Sequence, residues 1–81
     1  MEVSVLLFAQ ARELVGETQT SVTLEEPNTV SALREALIAQ HPALSPLIPH
    51  AMFAVNAQYA QDTQTIDEKC TIALIPPVSG G

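Results

Sequence analysis

The sequence has few of the residues on which most enzymes and nucleic-acid-binding proteins depend. Its 81 residues include one cysteine, no tryptophan, three glycines and three Lys or Arg against nine Asp or Glu, a formal net charge of -6. Three cations cannot neutralise a row of phosphates, so nucleic acid and anionic membrane surfaces are excluded as partners. A single cysteine also excludes an internal disulfide bond and a zinc site built from several cysteines.

Targeting and membrane-spanning segments are not expected either. The N-terminus has no basic region ahead of an apolar stretch, as a signal peptide would. The longest apolar run, from Val5 to Ala9, is far shorter than the roughly 20 residues of a membrane span. We therefore expect a soluble protein of the reducing cytoplasm. The apolar share of 47% allows one small core, which predicts a single domain over residues 1–75 and a C-terminal tail over residues 76–81.

The apolar pattern predicts several strands and one main helix. Asn28 or Thr29 can cap this helix and Pro42 must end it, so we place it over residues 30–40. Helical spacing turns Leu33 and Leu37 inward and Arg34 toward water. Residues 10–15 form a turn or short helical piece stopped by Gly16, and three prolines keep residues 42–50 from forming a regular helix. Alternating and β-branched patterns predict strands over residues 3–8, 20–24, 52–55 and 70–75, with a short strand near Tyr59.

This order of elements favours a β-grasp, or ubiquitin-like, fold of the α+β class. One helix can cover one face of a mixed sheet of four or five strands. A ferredoxin-like arrangement needs a second helix, which the proline-rich segment does not offer. The fold therefore leaves the other face of the sheet without a covering helix.

The C-terminus is the part of the chain that points to chemistry. It reads Pro76-Pro77-Val78-Ser79-Gly80-Gly81, in which the prolines hold the backbone extended. Two residues without side chains let the last carbonyl enter a narrow channel and accept a nucleophile. A carboxylate becomes an acyl donor once its oxygen is turned into a leaving group, for example as a mixed anhydride with AMP. Activated Gly81 could then become a thiocarboxylate or be joined to an amine.

Two segments resemble the MoaD-type sulfur carriers, the small subunits of molybdopterin synthase in the MoaD/ThiS ubiquitin-like family. They are Leu7-Phe8-Ala9-Gln10-Ala11-Arg12-Glu13-Leu14-Val15-Gly16 and the ending Ile75-Pro76-Pro77-Val78-Ser79-Gly80-Gly81. The resemblance implies that an ATP-dependent adenylating enzyme activates Gly81, with AMP attached transiently. A sulfur donor then forms the thiocarboxylate. The tail, residues 76–81, enters the large subunit, where sulfur passes to cyclic pyranopterin monophosphate to build the molybdopterin dithiolene.

The same resemblance implies a sulfur-donating subunit that supplies no general acid, general base, metal ligand or permanent cofactor of its own. Its partner would be the large, catalytic subunit, in a heterotetramer of two plus two. Three alternatives stay open at this point. They are a ThiS-type carrier for another pathway, a ubiquitin-like modifier joined to lysines through Gly81, and a plain binding module that does not need Gly80 and Gly81.

Strand alternation predicts a docking surface for the large subunit. If the first and last strands are parallel neighbours, Phe8 and Ile75 lie together on the uncovered face, beside the root of the tail. Tyr59 on the short strand would extend this patch. The alternative is that the proline-rich segment folds over it. His41 and His50 are interpreted as structural, and Cys70, which shares the parity of Ile72 and Leu74, as a buried small apolar residue.

Overall fold

The computed structural model describes residues 1–77, which form a five-stranded mixed sheet with two helices. The strands lie in the order β2-β1-β5-β3-β4, with the last strand of the sequence at the centre. This architecture confirms the predicted β-grasp fold. The elements are β1 (Glu2–Leu7), α1 (Ala9–Val15), β2 (Gln19–Thr23), α2 (Val30–Gln40), β3 (Met52–Val55), β4 (Gln58–Ala60) and β5 (Ile72–Ile75).

The register of the central strands fixes which residues meet at the end of the domain. Strand β5 runs parallel to β1, with Leu7 opposite Leu74. It runs antiparallel to β3, with Met52 opposite Ile75. The end of β5 therefore lies between the end of β1 and the beginning of β3. The tail starts at this point, in the middle of the sheet rather than at an edge.

Helix α2 covers one face of the sheet, and the two surfaces enclose the core. Val30, Leu33 and Leu37 of the helix are buried, as the spacing predicted. The apolar contacts between these surfaces are the main source of folding free energy in a domain of this size. The buried residues of the sheet alternate along the strands and are Val3, Val5, Leu7, Val22, Phe53, Val55, Ile72 and Leu74.

The ends of α2 follow the local signals in the sequence. The Thr29 hydroxyl accepts a hydrogen bond from the Ala32 backbone N–H at 3.2 Å. The N–H groups of Val30 and Ser31 donate to carbonyls of residues 64 and 62, each at 3.0 Å. These bonds satisfy donors that a helix N-terminus otherwise leaves unpaired. At the other end the helix stops at Gln40, two residues before Pro42.

Helix α1 shortens the first predicted strand. The strand was expected to include Phe8, but β1 ends at Leu7 and Phe8 is the residue that precedes α1. Ala11 turns into the core. Gly16 ends the helix with φ +84°, and its N–H donates to the Arg12 carbonyl at 2.7 Å. This is the left-handed C-terminal conformation that glycine adopts most easily.

The start of the last strand also differs from the expectation. Strand β5 begins at Ile72, because Cys70 belongs to a turn in which its N–H donates to the Asp67 carbonyl at 3.2 Å. The Thr71 N–H donates to Asn56 Oδ1 at 2.9 Å. Cys70 is therefore half-buried at the margin of the core, and the prediction that it is buried inside was wrong.

The proline-rich segment forms two short 3-10 turns, Pro42–Leu44 and Ile48–His50. Its Leu44, Leu47 and Ile48 are part of the core. Among residues 1–77, neither helix has the length and apolar character that crossing a membrane requires.

Candidate functional site

The root of the tail lies at the end of the central strand. Ile75 closes β5, half-buried Pro76 follows it, and Pro77 is exposed. The predicted reactive residue Gly81 and the predicted inserted residues Val78, Ser79 and Gly80 lie outside the described residues. The site available for description is therefore the surface from which the tail departs.

An apolar surface lies on the sheet face opposite α2, beside the tail root. Residues that pair across neighbouring strands share a face of the sheet. Leu6 pairs with Ala73, Ala73 with Ala54, Ala54 with Tyr59, and Ile75 with Met52. Their alternating neighbours are the buried core residues, so these side chains point away from the core. We call this surface the open apolar face; it consists of Leu6, Met52, Ala54, Tyr59, Ala73 and Ile75, with Phe8 at its end.

The large side chains of this face are unusually exposed for apolar residues. Phe8 is 48% exposed, Met52 49% and Tyr59 66%. Ile75 is half-buried between its neighbouring strands. A contiguous exposed patch with aromatic residues is typical of a protein–protein contact surface.

The open apolar face ends sharply at β1. On the same side of the sheet, the paired positions of β1 and β2 are polar and exposed: Glu2 with Thr23, Ser4 with Ser21, and Gln19 opposite Leu6. The sheet surface is thus divided into an apolar half next to the tail and a polar half away from it. This division sets the direction from which an apolar partner surface would approach.

The predicted docking residues are placed as follows. Phe8 and Ile75 lie at the ends of parallel neighbours β1 and β5, although Phe8 is one residue beyond the strand. Tyr59 lies on β4, one strand beyond β3. Met52 was missed, because its place beside Ile75 depends on the pairing of β3 with β5, which alternation along β3 alone does not give. Docking itself stays a prediction.

The proline-rich segment does not cover this surface. Its buried residues Leu44 and Ile48 join the core, on the side of the sheet that α2 covers. Arg34 of α2 donates to the Ile48 carbonyl at 2.6 Å, which holds the segment on that side. The open apolar face therefore remains accessible, and the alternative raised from the sequence does not apply.

The predicted orientation of Arg34 was wrong. Its side chain is only 20% exposed and forms an ion pair with Asp62, with 3.0 Å between Nε and Oδ1. Its guanidinium carbon lies 5.0 Å from the centroid of the Phe53 ring. Helical spacing alone could not reveal this, since the carbonyl, carboxylate and ring partners come from distant segments.

Three other titratable residues, His41, Arg12 and Glu13, have polar neighbours. His41 Nε2 lies 2.8 Å from the Thr20 hydroxyl, where it joins α2 to β2. Arg12 and Glu13 line an open groove at the end of α1, together with Gly16, Glu17 and Thr18. Within residues 1–77, no three His, Cys, Asp or Glu side chains converge as a metal site would require. Among residues 1–77, the feature that lies beside the tail root is thus the open apolar face.

Comparison with known proteins adds a family to this geometry. The ThiS family model matches residues 5–81, a range that includes the terminal Gly80 and Gly81. The molybdopterin synthase sulfur carrier subunit of Escherichia coli (strain K12) is 38% identical over 98% of this chain and 99% of its own length. The subunit of the same name from Chlamydomonas reinhardtii is 35% identical over the full length of both chains.

Two solved structures have a fold similar to that of this chain. SAMP1 from Haloferax volcanii superposes with a TM-score of 0.84 and is 29% identical, with both chains fully covered. A chain of the complex of subunits 1 and 2 of molybdopterin-converting factor from Helicobacter pylori has a TM-score of 0.67 and 23% identity, again over both full chains. At that identity the second likeness concerns the fold alone.

Proposed function

Since the chain belongs to the ThiS family and is related over its whole length to molybdopterin synthase sulfur carrier subunits, we propose that it carries sulfur for molybdopterin synthesis. The observation that carries this proposal is that the similarity reaches Gly81. The chain shares with these relatives a whole domain and not a short motif. In this role it is a donating subunit of a sulfurtransferase and not an enzyme by itself.

The proposed chemistry uses only the terminal carboxylate of Gly81. A carboxylate oxygen attacks the α-phosphorus of ATP, pyrophosphate leaves, and an acyl-adenylate forms. The outer sulfur of a donor persulfide then attacks the carbonyl carbon and displaces AMP, which gives an acyl disulfide. A thiol attacks the donor's sulfur in this bond, forms a disulfide with the donor and releases the thiocarboxylate. AMP is thus a transient group on the chain and not a bound cofactor. The absence of side chains on Gly80 and Gly81 keeps the attacked carbon accessible.

The thiocarboxylate is the sulfur source for the second half of the proposed cycle. The large subunit binds cyclic pyranopterin monophosphate and receives the tail, and two successive transfers complete the dithiolene. In each transfer the thiocarboxylate sulfur bonds to a carbon of the pterin, and water hydrolyses the resulting thioester, which returns Gly81 to the carboxylate form. In this proposal, general acids, general bases and binding groups for the pterin belong to the large subunit.

The open apolar face is proposed as the surface that the large subunit contacts. Phe8, Met52 and Ile75 lie around the tail root, so a partner held on them receives the tail at a defined position. Two carriers would flank a pair of large subunits in a two-plus-two heterotetramer. The adenylating enzyme must also receive the tail, so the two partners are expected to use the face in turn.

Intact-protein mass spectrometry tests the proposal. The chain is incubated with ATP, its adenylating enzyme and a sulfur donor, and a parallel sample omits ATP. We expect a mass gain equal to the replacement of one oxygen by one sulfur, located by fragmentation at Gly81 and present only with ATP. A chain that forms no adenylate and gains no sulfur under these conditions would contradict the proposal.

A second candidate function is protein modification, in which Gly81 is joined to lysines of other proteins. The likeness to SAMP1 favours this second function, because another similar structure from H. volcanii is named small archaeal modifier protein 1. Both functions begin with adenylation, and they differ in whether sulfur or an amine displaces AMP. Covalent adducts in lysate that carry a Gly81 isopeptide would indicate modification, whereas a free thiocarboxylate chain would indicate sulfur transfer. A ThiS-type carrier of another pathway would form the thiocarboxylate but would not support dithiolene synthesis.

A further inference from the structure

Arg34 is a half-buried polar side chain on the face of the sheet that α2 covers. It has no part in the proposed sulfur chemistry. Its Nη1 donates to two backbone carbonyls, those of Ile48 at 2.6 Å and Ala51 at 2.8 Å. Its Nε donates to Asp62 at 3.0 Å. A guanidinium can do this because its donors point in several fixed directions within one plane.

The partners of Arg34 lie at the two ends of one hairpin. Ala51 immediately precedes β3, and Asp62 follows β4 by two residues. Strands β3 and β4 are antiparallel, with Phe53 opposite Ala60, so the start of β3 and the end of β4 lie side by side. The guanidinium therefore bridges the open end of the hairpin.

The other end of the hairpin is closed by its own turn. Asn56 and Ala57 have φ values of 52° and 69°, as in the two-residue turns that join tightly paired strands. A hairpin of three- and four-residue strands is not stable alone. The orientation of this hairpin in the sheet therefore depends on the pairing of β3 with β5 and on the contacts that hold the open end of the hairpin.

This hairpin carries the outer half of the open apolar face. Phe53 points to the core, under the Arg34 guanidinium. Its neighbours Met52 and Ala54, with Tyr59 on β4, point to the opposite side. A shift at the open end of the hairpin would move Met52 first, since Met52 follows Ala51 directly and pairs with Ile75 at the tail root.

We propose that Arg34 is a positioning residue for partner docking: it closes the open end of the β3–β4 hairpin and so presets the contact face beside the tail root. This inference rests on the proposed function, because it takes the open apolar face as the surface that the large subunit contacts. Presetting a contact surface improves affinity by removing the cost of ordering it on binding.

The test compares Arg34→Met with a variant that is destabilised elsewhere. Methionine keeps an apolar stem and removes every donor. Val22→Ala is the matched control, because Val22 is buried at 1% exposure on β2, which carries no residue of the open apolar face. Arg34→Lys keeps the charge, but its donors radiate from one nitrogen and lack the planar fork of the guanidinium, so it should hold the three acceptors less well. All variants are used at a temperature where urea titration shows them to be folded.

Two readouts decide the outcome. In the isolated chain, Arg34→Met should speed amide hydrogen exchange over residues 52–60 by about tenfold or more relative to exchange in β1. Val22→Ala should not speed exchange selectively over residues 52–60. In titration calorimetry, Arg34→Met should weaken binding to the large subunit at least about fivefold, Arg34→Lys less, and Val22→Ala by no more than about twofold.

Several results would overturn the inference. Exchange that rises evenly over the sheet, or an affinity for the large subunit equal to that of Val22→Ala, would reduce Arg34 to an ordinary stabilising residue. A wild-type chain that does not bind the large subunit would contradict the proposed function and the docking role with it. In that case, the exchange pattern still decides whether Arg34 holds the hairpin.

Discussion

Gly81 differs from every other residue of the chain in that its main-chain carboxylate is the proposed reacting group. Any group placed beyond it removes the carboxylate, and a methyl group on its Cα narrows the path to the carbonyl. The match of the family model through residue 81 supports this assignment. The role proposed for Gly81 therefore rests on its main-chain carboxylate and on its lack of a side chain.

We predict that one added residue after Gly81, deletion of Gly81 or Gly81→Ala lowers sulfur transfer at least about a hundredfold, the cost of a misplaced reacting atom. Circular dichroism should show an unchanged fold, since the domain ends before the tail. Ser4→Ala is the control, because Ser4 is exposed on the polar half of the sheet, outside the tail and the open apolar face. An extended chain that transfers sulfur without being processed would contradict this prediction.

Gly16 has a structural role that can be separated from the chemistry. Its φ of +84° lies in the left-handed region, and an added Cβ would meet no atom within 4 Å. Gly16→Ala should therefore cost only backbone strain, about 1 kcal/mol of the free energy of unfolding, and Gly16→Asn less. Urea denaturation measures both; equal stability of the alanine variant and the wild type would disprove the strain.

Among the elements, the open apolar face is a property of four strands rather than of one. Phe8 directly follows β1, Ile75 ends β5, and Met52 begins β3, and the mixed sheet brings these three residues together. The polar half of the same face, with Ser4 on β1, provides an internal reference. A charge placed on either half can therefore be compared on one sheet surface.

Phe8→Glu and Met52→Glu should each weaken binding to the large subunit by more than about 2 kcal/mol, the scale of an interface hot spot. Ser4→Glu adds the same charge on the polar half and should have little effect. Adenylation of the tail should be mostly retained in all three variants. The contact surface would have to lie elsewhere if both apolar-half variants, confirmed as folded, bound like the wild type.

The elements differ in how far the sequence determines them. Helix α2 could be predicted to its last residue, because Thr29 and Pro42 act on their own neighbours. The start of β5 could not, since the turn at Cys70 depends on bonds to Asp67 and Asn56. Phe8 likewise continues an apolar run in the sequence, but in the structure it is the residue that precedes α1.

The residues of the open apolar face were predictable only in part, for the same reason. Alternation along the strands predicts Phe8 and Ile75 once the first and last strands are taken as parallel neighbours, and it adds Tyr59. Met52 requires the register between β3 and β5, and the role of Arg34 requires contacts with residues 14 and 17 positions away. Signals that lie within a few residues can be read from one sequence, whereas pairings across the fold cannot.

In the described part of the molecule, the two faces of the sheet differ in what covers them. One face is occupied by α2 and the proline-rich segment, which together close the core. The other presents an apolar half beside the tail root. In the proposed role, a partner holds the domain on the open apolar face and receives the tail from its root beside that face.

A single-turnover reconstitution tests the central claim most directly. The purified thiocarboxylate form of the chain is mixed with the large subunit and cyclic pyranopterin monophosphate, without ATP or a sulfur donor. We predict that dithiolene product forms while two chains return to the carboxylate mass for each product molecule. The unmodified carboxylate chain is the control and should give no product. A thiocarboxylate chain that binds the large subunit but keeps its sulfur would contradict the account.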